Sequence, residues 1–151
     1  MIFRIVYCSR SLISGSAQHV EAEIESLLSV SRKNNALNNI TGALLFNGEA
    51  FAQILEGPRS AVELVYAKIC VDSRNRDVIL LENAEVPERV FMNWAMAYSD
   101  VEAISSTFGG LSFDTILMDP RGRASEIVFL LQTLVNTYSG AEAPGSSSIC
   151  D

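Results

Sequence analysis

The 151-residue chain is 48% hydrophobic and 19% charged, with a net charge of -7 and a pI of about 4.7. That composition suits one domain with one apolar core and excludes wholesale disorder, while the acidic balance argues against generic binding of a phosphate backbone. Cys8, Cys70 and Cys150 are odd in number, widely spaced and without a CxxC pair, which excludes a disulfide framework or zinc finger and fits free thiols in a reducing cytoplasm.

The N-terminal MIFRIVYCSR reads as a short strand and not as a signal peptide. Along residues 2–8, Phe3, Ile5 and Tyr7 share one face and Ile2, Arg4, Val6 and Cys8 the other. Arg4 marks the second face as the less buried, so Tyr7 points into the main core. Residues 16–35 carry an amphipathic helix with Val20, Ile24, Leu27 and Leu28 at helical spacing and Ser14 or Ser16 as its cap. Its inward stripe continues into Ser31 and Asn35, so the last core-facing positions are small and polar.

ITGALLF and AFAQILE, residues 40–46 and 50–56, flank Asn47-Gly48, the pair favoured in tight hairpin turns. A two-residue loop predicts Phe46 opposite Glu49, Leu44 opposite Phe51, Gly42 opposite Gln53 and Ile40 opposite Leu55. Glu56 belongs to the outward set and Gln53 to the core-facing set. An amide opposite a residue with no side chain suggests a space filled by something else.

A second helix is predicted over 58–72, with Pro58 in its first turn and Val62, Val65 and Ile69 as its stripe. Strands are predicted over 77–86 and 93–99, the latter placing Trp94, Met96 and Tyr98 on one face. The order β-α-β-β-α-β-β is that of an α+β, ferredoxin-like sandwich with a mixed sheet and two helices on one face. The opposite face, with Ile2, Val6, Ala43, Leu45, Ala52 and Ile54, needs a cover. The helix predicted over 124–138 either covers it or forms a dimer contact, using Ile127, Leu130, Leu131, Leu134 and Tyr138. The expected organisation is a domain over 1–100, a helical extension over 101–138 and a disordered tail over 139–151. No apolar run nears the roughly 20 residues that span a bilayer, so a soluble cytoplasmic protein is expected.

Several chemistries lack their residues. There is no GxGxxG and no P-loop lysine motif. The single histidine, His19, sits at a helix start, where a surface role is commonest, so no Ser-His-Asp or Cys-His arrangement is indicated. Asp72 and Asp77 read as cap and turn residues. No metal site and no catalytic residue is assigned, and the chain is not expected to be an enzyme.

What remains is a set of uncharged polar groups facing the helix-side core: Tyr7, Ser31, Asn35 and Gln53, joined by Trp94 and Met96. Each has a structural explanation by itself. Together they offer a phenol, two carboxamides and a hydroxyl, which suit the edge of a neutral, flat, heteroatom-rich ring.

The first strand ending in Tyr7, then RKNNALNNITGALLF, FAQILEGP and FMNWAM, together resemble the BLUF family, sensors of blue light using FAD. The resemblance covers residues 2–100. It implies FAD bound non-covalently between the two helices, with FMN or riboflavin possible in a recombinant preparation. The cofactor-binding residues it implies are Tyr7, Ile24, Ser31, Asn34, Asn35, Phe51, Gln53, Lys68, Asp72, Arg74 and Met96. Lys68 and Arg74 would approach the ribityl-phosphate side. It implies Tyr7, Gln53, Trp94 and Met96 as the photoactive set: excited flavin takes an electron and a proton from Tyr7, and Gln53 relays the proton and is left rotated or tautomerised. The flavin absorption would then move to the red. After residue 100 there is room only for short helices, so the expected partner is a downstream signalling protein in trans. Homo-oligomerisation is expected; a nucleic-acid or membrane partner is not. The alternative is a non-photoactive ligand-binding or assembly module on the same scaffold, since fold alone does not decide function. An acylphosphatase-like enzyme is a third possibility that lacks its phosphate loop.

Overall fold

The structure, a computed structural model, describes residues 1–46, 48–92, 97–100, 116 and 118–138. Eight elements follow in chain order: β1 (Ile2–Ser11), α1 (Ala17–Leu37), β2 (Thr41–Phe46), β3 (Ala50–Gly57), α2 (Arg59–Cys70), β4 (Asn75–Val86), β5 (Ala97–Asp100) and α3 (Pro120–Tyr138). The strands form one sheet in the order β4-β1-β3-β2-β5. From β4 to β2 each strand is antiparallel to its neighbour, and β5 joins β2 in parallel, so the sheet is mixed. This is the expected α+β, ferredoxin-like architecture with one added strand.

The period-2 pattern of the strands divides the core into two layers. On one face Phe3, Ile5, Tyr7, Leu44, Phe46, Phe51 and Leu55 pack against Ile24 and Leu28 of α1 and Val62 of α2. On the other, Val6, Cys8, Ala43, Leu45, Ala52 and Ile54 pack against Ala124, Ile127, Leu130 and Leu131 of α3. The helix of the C-terminal segment thus covers the back of the sheet. That covering corrects the reading of β1: Val6 and Cys8 are as deeply buried as Phe3 and Tyr7. Arg4 tolerates its place because its Nε lies 2.7 Å from Glu82 Oε1. Glu56, read as outward, is fully buried.

The hairpin register differs from expectation. Phe46 pairs with Phe51, Leu44 with Gln53 and Gly42 with Leu55. A tight two-residue turn loses because Glu49 and Ala50 are recruited by β1. Ala50 is buried and pairs with Arg10, and the Ser11 N–H donates to the Glu49 carbonyl at 2.8 Å. The rings of Phe46 and Phe51 then stack across the strands at a centroid separation of 4.9 Å. The slip is two residues, so every side chain keeps its face. The vacancy argued opposite Gln53 is therefore filled by Leu44. Gly42 has another cause: a Cβ there would run into the Ile54 carbonyl oxygen.

Element ends also move. β1 runs on to Ser11, and β4 starts at Asn75, two residues earlier than predicted. The β1–β4 ladder shifts register between Val6 and Tyr7 and again between Cys8 and Arg10. Such irregularities bend and twist a strand locally, and here they bracket Tyr7. The α1 cap is Ser16, whose Oγ accepts from the His19 N–H at 3.1 Å. Residues 93–96, which carry Trp94 and Met96, and the tail from 139 to 151 lie outside the described residues.

Candidate functional site

A cleft lies on the α1/α2 side of the sheet. Its walls are apolar at Leu27, Leu44, Phe51, Val65 and Ile69 and polar at Tyr7, Ser31, Asn35, Gln53, Asp72, Arg74 and Asn75.

Tyr7 and Gln53 are Cα partners in the β1–β3 register. Both odd-numbered positions face the helices, so pairing delivers the two side chains to the same point of the cleft. The Tyr7 hydroxyl donates to Gln53 Oε1. Tyr7 is 4% exposed and Gln53 5%. Burial, the largest cause, raises the Tyr7 pKa well above its ordinary value, and the neighbouring Tyr66, Cys70, Asp72 and Cys8 push the same way. The phenol is held protonated and donating.

The Tyr66 ring lies 5.7 Å from that of Tyr7, tilted by 55°. Burial and a hydrogen bond with Cys70 raise the Tyr66 pKa. Cys8, across the sheet, is pushed up to about 12 by burial and stays a thiol at neutral pH.

Asn35 stands on the last turns of α1, where the apolar stripe gives way to polar residues, and is 2% exposed. Its carbonyl accepts from the Ile40 N–H at 2.8 Å, which fixes the exit from the helix into β2. Ser31, one turn earlier, is half-buried on the same wall.

The α2–β4 connection supplies the remaining polar wall. Asp72 takes a two-pronged ion pair from Arg74, with Nε to Oδ1 at 3.0 Å and Nη2 to Oδ2 at 2.6 Å. It also accepts from the Arg74 N–H at 2.9 Å, a local turn of the kind Asp favours. The hydrogen bond from Arg74 holds the Asp72 carboxyl below the usual carboxylate range. The Asn75 amide donates to the carbonyls of Ile69 and Asp72, closing the end of α2.

Of the residues expected to bind a cofactor, Tyr7, Ser31, Asn35, Phe51, Gln53, Asp72 and Arg74 thus meet in one cleft. Ile24 is buried in the core beside it, and Asn34 and Lys68 are exposed; none of these three lines it. Leu44 and Asn75 do line the cleft and were not singled out from the sequence. Leu44 was hidden by the two-residue register error. Asn75 carried no signal beyond following the Asp-Ser-Arg turn. Among the described residues, no cluster of His, Cys, Asp or Glu could hold a metal ion, and no helix is long and apolar enough to cross a membrane.

The donor set suits a flat heteroaromatic ring. Two buried carboxamides and a phenol offer directional, uncharged hydrogen bonds, and Leu27, Phe51, Val65 and Ile69 supply apolar contact. The family model described as sensors of blue-light using FAD matches residues 2–97. The chain belongs to the BLUF family.

The BLUF match extends to individual proteins. The blue light- and temperature-regulated antirepressor BluF of Escherichia coli is 32% identical over 123 residues, covering 77% of this chain and 30% of that protein. The photoactivated adenylate cyclase subunit alpha of Euglena gracilis is 36% identical over 86 residues, covering 57% of this chain and 8% of that protein. The chain therefore spans under a third of these relatives. The dark-state structure of BlrB, a BLUF protein, superposes with a TM-score of 0.71 at 27% identity, covering 91% of this chain and 96% of BlrB. The photo-activated state of BlsA gives 0.72 at 27% identity, covering 89% and 95%. A structure of Klebsiella pneumoniae BlrP1 with FMN and cyclic diGMP gives 0.63 at 28% identity, covering 78% and 30%.

Proposed function

We propose that this BLUF chain is a blue-light receptor that holds FAD non-covalently in the α1/α2 cleft and reports illumination through the hydrogen bonds of Gln53. The observation that carries the reading is the direct bond from the Tyr7 hydroxyl to Gln53 Oε1 within the cleft. Flavin held there would supply the electron acceptor on absorbing blue light, and Tyr7 would be the electron donor. A phenol that loses an electron becomes a strong acid, and its proton already has a bonded acceptor in Gln53 Oε1. A carboxamide has one donor end and one acceptor end. Taking up that proton, or turning over, changes what Gln53 presents to the ring. A carboxylate there would repel the electron-rich edge, and a hydrocarbon would offer no bond to change.

Asn35 and Ser31 would offer hydrogen bonds to the polar atoms of the ring, and Leu27, Phe51, Val65 and Ile69 would give it apolar contact. Arg74, oriented by Asp72, serves the anionic or carbonyl groups at the α2 end. Lys68, on the exposed side of α2, serves whatever part of the cofactor extends beyond the cleft. Trp94 and Met96, outside the described residues, complete the photoactive set in this reading. We take residues 1–100 as the sensing unit and 101–138 as its helical extension.

The chain itself is not an enzyme in this reading. Its output passes to a separate protein in the cytoplasm, and the receptor works as a homo-oligomer. What supports an output outside the light-sensing fold is the variety of outputs named among its relatives, an antirepressor in one case and adenylate cyclases in others. The test is direct. The purified chain takes up FAD, turns yellow and shows a small reversible red shift under blue light. A colourless chain that takes up no added flavin would overturn the reading and favour a non-photoactive ligand-binding module.

A further inference from the structure

Glu56 is the one acidic side chain fully buried among the described residues, and the mechanism above does not use it. It lies on β3 three residues after Gln53, on the opposite face of the strand. A carboxylate is costly to bury without partners. Its partners are informative: Oε1 accepts from the Val90 N–H at 2.9 Å and from the Phe91 N–H at 2.9 Å, and Oε2 accepts from Val90 at 3.0 Å. Arg4 Nη1 stands 4.0 Å from Oε2.

The same stretch is held a second time. The Arg89 guanidinium donates to the Glu56 carbonyl at 2.9 Å, to Thr41 Oγ1 at 2.8 Å and to the Asn39 carbonyl at 2.8 Å. Phe91 is buried in the α3-side core. Residues 89–91 are therefore fastened to the ends of β2 and β3 by side chains, with no strand ladder involved. Residues 93–96, which include Trp94 and Met96, follow directly in the chain.

We infer that Glu56 is a positioning residue that ties residues 89–91 to the strand carrying Gln53, so that a change at Gln53 and the placement of residues 89–91 are mechanically coupled. The inference rests on the reading of Gln53 as the light-responsive group. β3 is rigid on this scale: it is bonded on both sides, to β1 and β2. A small movement of the strand at Gln53 is carried to its end, where Glu56 passes it to two backbone N–H groups. In Glu56→Gln the volume is kept, but one oxygen becomes an NH₂ that faces the Val90 N–H and the Arg4 guanidinium, donor against donor.

The test is amide hydrogen exchange on FAD-loaded wild type and Glu56→Gln, in the dark and under blue light. In the dark, protection at Val90 falls about tenfold in the variant and less at Phe91, whose acceptor Oε1 remains an oxygen, while β1 and β3 keep theirs. Under light, wild type shows a changed exchange over 90–100. The variant loses that change although its red shift and its FAD affinity persist, a pattern that a merely structural role would not give. Arg89→Ala, at a half-buried side chain, reports the same loss in smaller degree if Glu56→Gln fails to fold. A wild-type light-induced difference surviving in the variants overturns the inference, as does an equal loss of protection in β1 and β3. If wild type shows no red shift, the photoreceptor reading fails, and the dark comparison still decides whether Glu56 holds residues 90–91.

Discussion

Replacing Tyr7 with Phe removes one oxygen and leaves the ring, so its effect is narrow enough to calculate. Tyr7 and Gln53 are both at most 5% exposed, and the phenol donates to Gln53 Oε1. Without the hydroxyl, the buried Gln53 amide oxygen loses the bond from Tyr7, which costs about 1–3 kcal/mol. The 5.7 Å contact between the rings at 7 and 66 persists, so little packing is lost. For a domain of this size each kcal/mol lowers Tm by about 2–4 °C, giving a drop of about 2–12 °C. Urea unfolding of the flavin-free protein measures the cost, with an unchanged m-value showing that only stability moved. The loaded variant retains FAD and shows no productive light-induced shift. A stability loss below about 0.5 kcal/mol would refute the bond's contribution to the fold. Full photocycling in Tyr7→Phe would refute Tyr7 as donor.

Ile127→Ala, at a fully buried position of α3 against the back of the sheet, costs about 2–5 kcal/mol in the same urea assay. A cost below 1 kcal/mol would mean that α3 does not cover that face in solution. Asp72 titrates below its ordinary value because Arg74 bonds its carboxylate. In the acid range the unfolded chain therefore binds the proton first, so this contribution to stability is complete above the unfolded pKa of about 3.9 and is lost as pH falls through the lower folded value. Wild type consequently loses stability more steeply than Asp72→Asn below about pH 4, and equal slopes would contradict the pairing.

Much of the fold was legible because each element carries its own period. Phe3, Ile5 and Tyr7 alternate as a strand does, and Ile24, Leu27 and Leu28 recur as a helix does. The apolar back of the sheet announced its cover before α3 was placed on it. The errors have physical causes. A tight Asn-Gly turn is a local preference, and the recruitment of Glu49 and Ala50 by β1 is a tertiary gain that no local pattern displays. Glu56 reads as outward because a lone carboxylate on a strand usually is, and its buried partners are backbone N–H groups 34 and 35 residues away. Gly42 reads as making room for a ligand, whereas it makes room for the neighbouring strand. The polar cleft residues were legible for a different reason. Asn35 and Gln53 stand where an apolar stripe should continue, and such interruptions cost stability unless another group answers them.

The central claim is that the Gln53 carboxamide is the group whose hydrogen bonds change when the bound flavin absorbs blue light. Light-minus-dark absorption spectra of FAD-loaded wild type and Gln53→Leu test it most directly, because the variant keeps an apolar side chain of similar size and removes only the donor and acceptor. The account predicts a reversible red shift in wild type and none in a variant that still binds FAD. A normal red shift in Gln53→Leu would contradict it.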